Sequence, residues 1–257
     1  RLVGSEMCIR DSPTTEQKIM FVKTFGCCRK VYNLMLADKI ACYKKTKSFG
    51  KQTPAMYKAE YPFLKEVDSL ALANVQLNLQ SALKNCFDKS RKRQNGFPKF
   101  KSAKHSRKSY TTNNQKGTVA IIDDRYIKLP KIGKIKAVIH RKPDADWTIK
   151  SATISQDSDG KFYVSILFEY EKAITPAIIS DNAVGIDYKS DGLYMDSNGY
   201  CPFGHKYYRQ NQEKLAQAQR KLKHMAIGSN NYKKQQCKIA KIQKHTSNQR
   251  LDFLHKE

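Results

Sequence analysis

Apolar positions in the first part of the chain recur at helical spacing and predict two helices. Thr14, with Gln17 three residues later, forms a capping box at the start of the first helix, and Gly26 is expected to end it. The second helix is predicted from residue 27 to about residue 45. Two helices joined by a glycine turn occur in helix-turn-helix proteins that recognise DNA, and more commonly in αα-hairpins that pack on their neighbours. The pattern leaves both open.

A longer helix is predicted from Ser69 onward, because apolar residues fall on one helical face. These residues are Leu72, Val75, Leu79, Ala82, Leu83, Cys86 and Phe87. The helix is expected to end in the basic run Arg91, Lys92 and Arg93, before Asn95 and Gly96. Cations in a last helical turn favour the helix dipole, which is one explanation for this run.

The basic run continues past the helix, with aromatic residues between the cations. Lys and Arg bind phosphates and aromatic rings stack on bases, so this composition is typical of a surface for single-stranded or structured RNA. We therefore predict nucleic-acid contact along the run. The candidate residues are Arg91, Lys92, Arg93, Lys99, Phe100, Lys101, Lys104, Arg107 and Lys108.

From Thr118 the hydrophobic period changes to two, which is the period of β-strands. Five strands are predicted, at residues 118–122, 125–130, 134–140, 147–155 and 161–170, with Asp157 to Gly160 as a hairpin turn between the last two. Five short antiparallel strands suggest a small barrel or a bent sheet, an architecture that often holds oligonucleotides. Residues 176–181 are predicted to be a linker.

Residues 183–199 contain two short apolar runs joined by polar residues and glycine, which predicts a β-hairpin. Gly185 fits a strand position that another backbone approaches closely. The first run ends on Asp187, and an acid at the end of a buried strand needs a cation or a hydrogen-bond partner. Asp187 is therefore either the cap of a turn or a ligand of a divalent metal.

Two basic helices are predicted after the hairpin, separated by residues 228–231. From Lys206 onward the chain has 13 Lys and Arg against 3 acidic residues. A solvated face explains part of this surplus, and a phosphate track explains it better. The candidate nucleic-acid contacts here are Arg220, Lys221, Lys233 and Lys234.

Composition strengthens the nucleic-acid interpretation, because 48 Lys and Arg face 23 Asp and Glu, a net charge of +25. A compact fold with this surplus repels itself unless a polyanion screens it. The 7 cysteines include no CxxC pair, which argues against a disulfide framework or a zinc site and suits a reducing cytosol. No apolar run approaches the length of a membrane span.

Residues 1–12 show no helical or strand period and resemble translated sequencing-adapter sequence, so they are expected to lie outside the fold.

Several segments together resemble the TnpB family, the OrfB-type proteins of small insertion sequences. The resemblance runs from about Pro13 to Glu257. It is carried by PTTEQKIMFVKTFGCCRKVYN, EYPFLKEVDSLAL, FPKFKS, IKLPKIG, SATISQDSDGKFYVSILFE, VGID with DGLYMDSNG, and GSNNYKKQ followed by NQRLDFLHK. Each segment alone is a weak signal, whereas their order and spacing are specific.

The resemblance implies an α+β multidomain fold. We expect a helical recognition domain with a helix-turn-helix-like hairpin at 13–95, a β-barrel wedge domain at 96–178, and the first part of an RNase H-like (RuvC) nuclease domain at 182–257. The resemblance also implies binding of a transposon-derived guide RNA and cleavage of matching DNA. The first catalytic acid of the family falls on Asp187, which would bridge two Mg²⁺ ions.

The family site also needs a later Glu, a final Asp and a zinc-binding ribbon, and none of these occurs before Glu257. Asp191 and Asp196 lie in the same hairpin as Asp187 and are expected to be turn residues. We therefore expect that the chain is cut off within its last helix and that it cannot cleave DNA alone. Zinc is expected to bind only to the missing ribbon. The alternative is a non-catalytic nucleic-acid-binding protein, a decayed guide-directed DNA binder.

Overall fold

The computed structural model describes residues 2–8, 13–88, 96–123, 125–139, 142–171, 183–189, 193–202 and 204–257. The chain divides into two compact units. The first consists of residues 1–157 with 161–172, and the second of residues 158–160 with 173–257. Both combine helices with small antiparallel sheets, so the predicted α+β class is confirmed.

Helix α1 (Thr15–Thr46) is one continuous helix of 32 residues where the sequence predicted two. The predicted capping box is present: Gln17 N donates to Thr14 Oγ1, and Thr14 N donates to Gln17 Oε1. The predicted helix end at Gly26 is wrong. Glycine inside a helix costs only about 1 kcal/mol relative to alanine, and burial of the flanking Phe25 and Cys27 outweighs that cost.

Helix α2 (Ser69–Phe87) confirms the third predicted helix, but the predicted end in the basic run at 91–93 is wrong, because the backbone is already extended at Asp88. Leu72, Val75, Leu79 and Leu83 of the predicted face are buried, whereas Phe87 is 51% exposed. Between α1 and α2 lie two short 3-10 helices, Pro54–Lys58 and Pro62–Lys65, each with proline in its first turn.

The strands of the first unit form two antiparallel sheets. Strands β1 (Leu2–Cys8), β2 (Lys108–Asn113), β6 (Thr148–Gln156) and β7 (Phe162–Glu169) form one sheet in the order β1-β7-β6-β2. Strands β3 (Ala120–Ile122), β4 (Tyr126–Leu129) and β5 (Gly133–Lys136) form the other. The five predicted strands and the β6–β7 turn are confirmed. Closure into a barrel and the finer domain boundaries stay predictions.

Strands β1 and β2 were not predicted. Residues 2–8 pair with β7, Leu2 opposite Glu169 and Cys8 opposite Tyr163, so the expectation that the start of the chain lies outside the fold is wrong for these seven residues. Edge strands pair with extended segments through backbone groups, whatever the side-chain pattern of the segment. Strand β2 begins in the predicted basic segment, and its inward residues Tyr110 and Thr112 are buried.

Helices α1 and α2 share one hydrophobic core with the strands of the first unit. The rings of Phe21 and Phe162, for example, stack with their centroids 5.1 Å apart. The largest side chains that are fully buried are Phe21, Phe168, Met35, Leu36, Leu64, Leu72, Leu79, Ile127, Leu129, Ile135 and Ile154. Because α1 and α2 pack on the strands, segments far apart in sequence are held in fixed positions.

The second unit contains the predicted hairpin and the two predicted basic helices. Strands β8 (Ile186–Tyr188) and β9 (Tyr194–Asp196) pair antiparallel, and helices α3 (Tyr207–Lys223) and α4 (Asn230–Lys256) pack antiparallel to each other. The amide of Gln235 donates to the Ala218 carbonyl at 2.8 Å. No helix in the described ranges is long and apolar enough to cross a membrane. The predicted linker at 176–181 lies outside the described residues.

Removal of one buried carboxylate is expected to destabilise the first unit. Asp68 caps α2 by accepting from Leu70 N at 3.0 Å, and it also accepts the hydroxyl of the fully buried Thr112 in β2. Asp68→Ala removes the cap and leaves that hydroxyl without its acceptor, so we expect a loss of about 3 kcal/mol. Urea unfolding followed by the fluorescence of Trp147, the single tryptophan, measures the loss.

The matched control is Glu66→Ala, which removes only the exposed ion pair with Lys23. Such pairs contribute about 0 to 1 kcal/mol. Equal unfolding midpoints for the two variants would show that Asp68 does not join α2 to β2.

Candidate nucleic-acid interface

The segment formed by residues 96–108, here called the basic segment, carries five cations and no acid. Lys99, Lys104 and Arg107 are exposed, and within the described part of the chain they form no ion pair. Free cations on one short segment produce a local positive potential that attracts a polyanion.

The middle of the basic segment is fixed to α1 through its backbone. Asn33 Nδ2 donates to the Lys101 carbonyl at 2.9 Å, and Lys101 N donates to Asn33 Oδ1 at 2.8 Å. The Lys101 ammonium lies 4.2 Å from the centre of the Tyr32 ring. Burial lowers the pKa of Lys101 and raises the pKa of Tyr32 from their ordinary values. Lys101 therefore anchors the segment, and its neighbours remain free to bind.

The end of the basic segment is fixed to α2 through β2. Asn74 Nδ2 donates to the Thr111 carbonyl at 3.0 Å and lies 3.3 Å from Asn113 Oδ1. Lys108 Nζ donates to Gln156 Oε1 of the neighbouring strand at 3.3 Å. Together with the Asp68–Thr112 contact, these bonds position the segment against both helices before any ligand binds, which reduces the entropy lost on binding.

A cavity of about 90 Å³ lies beneath the basic segment, between α1, α2 and β2. Cationic and amide groups form part of its lining, namely Arg29, Asn74, Asn78, Lys101, Arg107 and Lys108. Burial raises the pKa of the Cys28 thiol, also in the lining, to about 12, so this thiol is protonated at neutral pH. Burial also raises the pKa of Tyr110.

The two phenylalanines of the basic segment differ in their surroundings. Phe97 packs edge to face against Phe87 of α2, with ring centroids 6.5 Å apart. Phe100 is 58% exposed. Phe97 therefore holds the start of the segment on α2, whereas the Phe100 ring is accessible for stacking on a base.

The structure brings six of the predicted contact residues together in one segment: Lys99, Phe100, Lys101, Lys104, Arg107 and Lys108. Arg91, Lys92 and Arg93 lie outside the described residues.

The four predicted contacts of the second unit lie at one end of the α3–α4 pair. Arg220 and Lys221 are in the last turn of α3, and Lys233 and Lys234 are near the start of α4. All four are exposed. Cations stabilise the end of a helix but not its start, so the dipole does not explain Lys233 and Lys234. Binding of an external anion would explain why all four cations lie at this end of the helix pair.

Asp187 lies in β8 opposite Met195, and all three residues of β8 are exposed, whereas Tyr194 and Asp196 of β9 are half-buried. The expectation of a buried strand is therefore wrong for β8 as the described residues place it, in a sheet of two strands with every β8 residue exposed. Gly185 accepts from Ser197 N at 2.9 Å, but a Cβ at Gly185 would meet only Ser197 Cβ at 3.8 Å. That ordinary contact does not require glycine.

A carboxylate such as Asp187 suits a hard divalent cation. In the described ranges, however, no group of three or more His, Cys, Asp or Glu side chains could hold a metal ion. Asp187 alone therefore does not form a metal centre. Asp196 has the turn role predicted for it, because its Oδ1 accepts from Asn198 N at 2.9 Å and from Tyr200 N at 2.8 Å. Asp191 lies outside the described residues.

Sequence reasoning missed the residues that position the basic segment: Asn33, Asp68 and Asn74. Each contacts a partner more than 35 positions away in the chain. Asp68 alone carried a local signal, since an aspartate directly before an apolar helical run is a common N-cap. Asn33 and Asn74 lie inside helices and carried none.

Two family models match the chain. The model of the OrfB helix-turn-helix domain of IS605-type elements, described as "Helix-turn-helix domain", matches residues 7–48. The OrfB model, described as "Probable transposase", matches residues 165–257. The first match covers part of β1 and all of α1, and the second runs from β7 to the end of α4.

Two curated proteins are similar over 95% of this chain. One, from Streptomyces pristinaespiralis, is provisionally named an RNA-guided DNA endonuclease and is 33% identical over 263 residues. The other, InsQ of Escherichia coli strain K12, carries the same provisional name and is 31% identical over 251 residues. The chain spans about 60% of the length of each of these relatives.

Two solved complexes are also similar. One is a ternary complex of CRISPR-Cas12f, with a TM-score of 0.38 and 11% identity over 90% of this chain and 57% of that chain. The other is a Cas12f1 complex with single-guide RNA and target DNA, with a TM-score of 0.32 and 12% identity over 96% of this chain and 65% of that chain.

Proposed function

The chain belongs to the OrfB family of IS605-type transposases, the TnpB family, and from this premise we propose that it is the nucleic-acid-binding part of an RNA-guided DNA endonuclease encoded by a mobile element. The whole protein would bind a guide RNA from the element and cut DNA that pairs with the guide. The observation that carries the proposal is the basic segment, five cations without an acid, fixed on α1 and α2 before binding.

In this proposal, the protein contacts backbone and shape while base pairing provides the specificity. Lys99, Lys104 and Arg107 are free to bind phosphates, and Phe100 offers a ring for an unpaired base. The four exposed cations at the end of the α3–α4 pair would be a second phosphate contact.

Asp187 has a separate role in the proposal, as one ligand of a divalent metal such as Mg²⁺. The other ligands would come from parts of the family protein that this chain does not contain, since the chain spans about 60% of its relatives. Bound Mg²⁺ would supply Lewis-acid chemistry for phosphodiester hydrolysis. Asp187 would contribute an exposed oxygen ligand held on a strand.

Salt-dependent binding by the 257-residue chain tests this function. Labelled RNA and DNA are titrated with the chain at increasing salt and followed by fluorescence anisotropy. Contacts with phosphates are expected to give a linear fall of log K with log salt concentration, with a slope of about −0.7 per phosphate on single strands and about −0.9 on duplex DNA. A chain that binds neither polymer, or binds them independently of salt, would contradict the proposal.

A further inference from the structure

The outer face of the three-stranded sheet β3–β4–β5 carries a group of residues that the basic segment does not include. In β4 the side chains alternate, with Ile127 and Leu129 buried and Tyr126 and Lys128 exposed. In β5, Ile135 is buried while Lys134 and Lys136 are exposed. One face of the sheet therefore packs on the core, and the other presents lysines and a tyrosine to solvent.

The strand register places two of these lysines directly opposite each other. Lys128 of β4 pairs with Lys134 of β5, and Tyr126 pairs with Lys136. Like charges directly opposite each other destabilise a sheet. Within the described residues neither Lys128 nor Lys134 forms an ion pair. The arrangement thus costs stability in the free protein, and a bound anion would remove that cost.

The sheet residues of this face include no acid. The strands β3, β4 and β5 contain three lysines and no Asp or Glu, and the nearest acids in sequence, Asp123 and Asp124, fall in the β3–β4 connection. Tyr126, with 37% of its surface exposed, adds a ring beside the lysine pair. A flat sheet face that combines an aromatic ring with cations matches the chemistry of an unpaired, stacked nucleotide with its phosphates.

We propose that this face binds an unpaired segment of RNA, with Lys128 and Lys134 on adjacent phosphates and Tyr126 stacked on a base. The assignment rests on the proposed function, in which the protein carries an RNA. A structured RNA keeps unpaired loops exposed at all times, whereas the bases of duplex DNA are accessible to a ring only after the duplex opens. RNA is therefore the ligand that offers both phosphates and a free base to the protein.

The test compares the full chain with the double variant Lys128→Gln/Lys134→Gln. Anisotropy titrations over a range of salt use labelled oligouridine as the unpaired RNA and a blunt DNA duplex as the second probe. For oligouridine we expect the salt slope to fall by about 1.4, since each phosphate contact on a single strand contributes about 0.7. The slope for the DNA duplex is expected to stay at the wild-type value.

Two further measurements separate binding from folding. Because the double variant removes a like-charge pair, its unfolding temperature is expected to rise while its RNA binding weakens. Tyr126→Leu is expected to weaken oligouridine binding about tenfold without changing the salt slope, because stacking releases no counterions. The control Lys65→Gln/Lys84→Gln removes the same charge from exposed helical positions and is expected to keep the wild-type slope.

The inference is overturned if the Lys128/Lys134 variant keeps the wild-type slope on oligouridine, or if the Lys65/Lys84 control loses as much. A slope change on the DNA duplex but not on oligouridine would overturn the assignment to RNA. If the wild-type chain binds neither oligouridine nor the DNA duplex, the proposed function fails as well. If the wild-type chain binds oligouridine and the double variant keeps the same salt slope, only the assignment of RNA binding to this face is refuted.

Discussion

The triple variant Lys99→Gln/Lys104→Gln/Arg107→Gln is expected to bind RNA about a hundredfold more weakly than the wild-type chain at about 0.1 M salt. These three cations are exposed and form no ion pair in the described part of the structure. Each phosphate contact on a single strand contributes about 0.7 to the salt slope, so three contacts contribute about 2. The electrostatic contribution vanishes near 1 M salt, and over one decade of salt a slope difference of 2 is a factor of about 100.

The fold of the triple variant is expected to be intact, because the segment is held by other groups. Asn33 binds the Lys101 backbone, and Asp68 and Asn74 bind β2. The charge-matched control is Lys51→Gln/Lys65→Gln/Lys84→Gln, at exposed positions outside the segment. If both triple variants lose the same affinity, net charge attracts the RNA and the basic segment has no special role.

Asp187→Asn is expected to abolish DNA cleavage by a protein with a complete family site. A suitable protein is a chimera that joins this chain to the part of the Streptomyces pristinaespiralis relative outside the matched region. Asparagine keeps the shape of the side chain but loses the negative charge that binds Mg²⁺. Metal ions contribute several kcal/mol to such reactions, so the cleavage rate should fall about 1,000-fold or more, with DNA binding unchanged.

The control for Asp187→Asn is Asp252→Asn, which removes a carboxylate from an exposed pair with Lys256 in α4. This variant is expected to cut at the rate of the unmodified chimera, because exposed pairs contribute little to stability. If the chimera cuts equally well with Asp187→Asn, Asp187 is not a ligand of the catalytic metal. The alternative of a non-catalytic binder would then apply to this part of the chain.

Local patterns predicted much of the fold. The apolar face of α2, the alternation of Val164, Ile166 and Phe168 in β7, and the turn at Asp157 to Gly160 are all encoded by neighbouring residues. The prediction failed at Gly26, where burial of the flanking residues outweighs the weak helix propensity of glycine. It also failed at residues 2–8, where the pairing partner β7 is more than 150 positions away.

The candidate site was predicted by composition but not by geometry. Charge and aromatic residues identified Lys99, Phe100 and Arg107, because these types bind phosphates and bases wherever they are exposed. The sequence did not indicate that Asn33 holds Lys101, since the two residues meet only after α1 packs on the segment. The opposed pair Lys128 and Lys134 likewise follows from the strand register and not from spacing in the chain.

The most direct test of the central claim is a map of the contact between the wild-type chain and RNA. The complex is cross-linked with ultraviolet light, digested, and analysed by mass spectrometry for peptides that carry a nucleotide. We predict adducts within residues 96–108, above all at the exposed Phe100, and their loss when high salt is present before irradiation. Adducts confined to other parts of the chain, with none in residues 96–108, would contradict the assignment of the basic segment as the nucleic-acid interface.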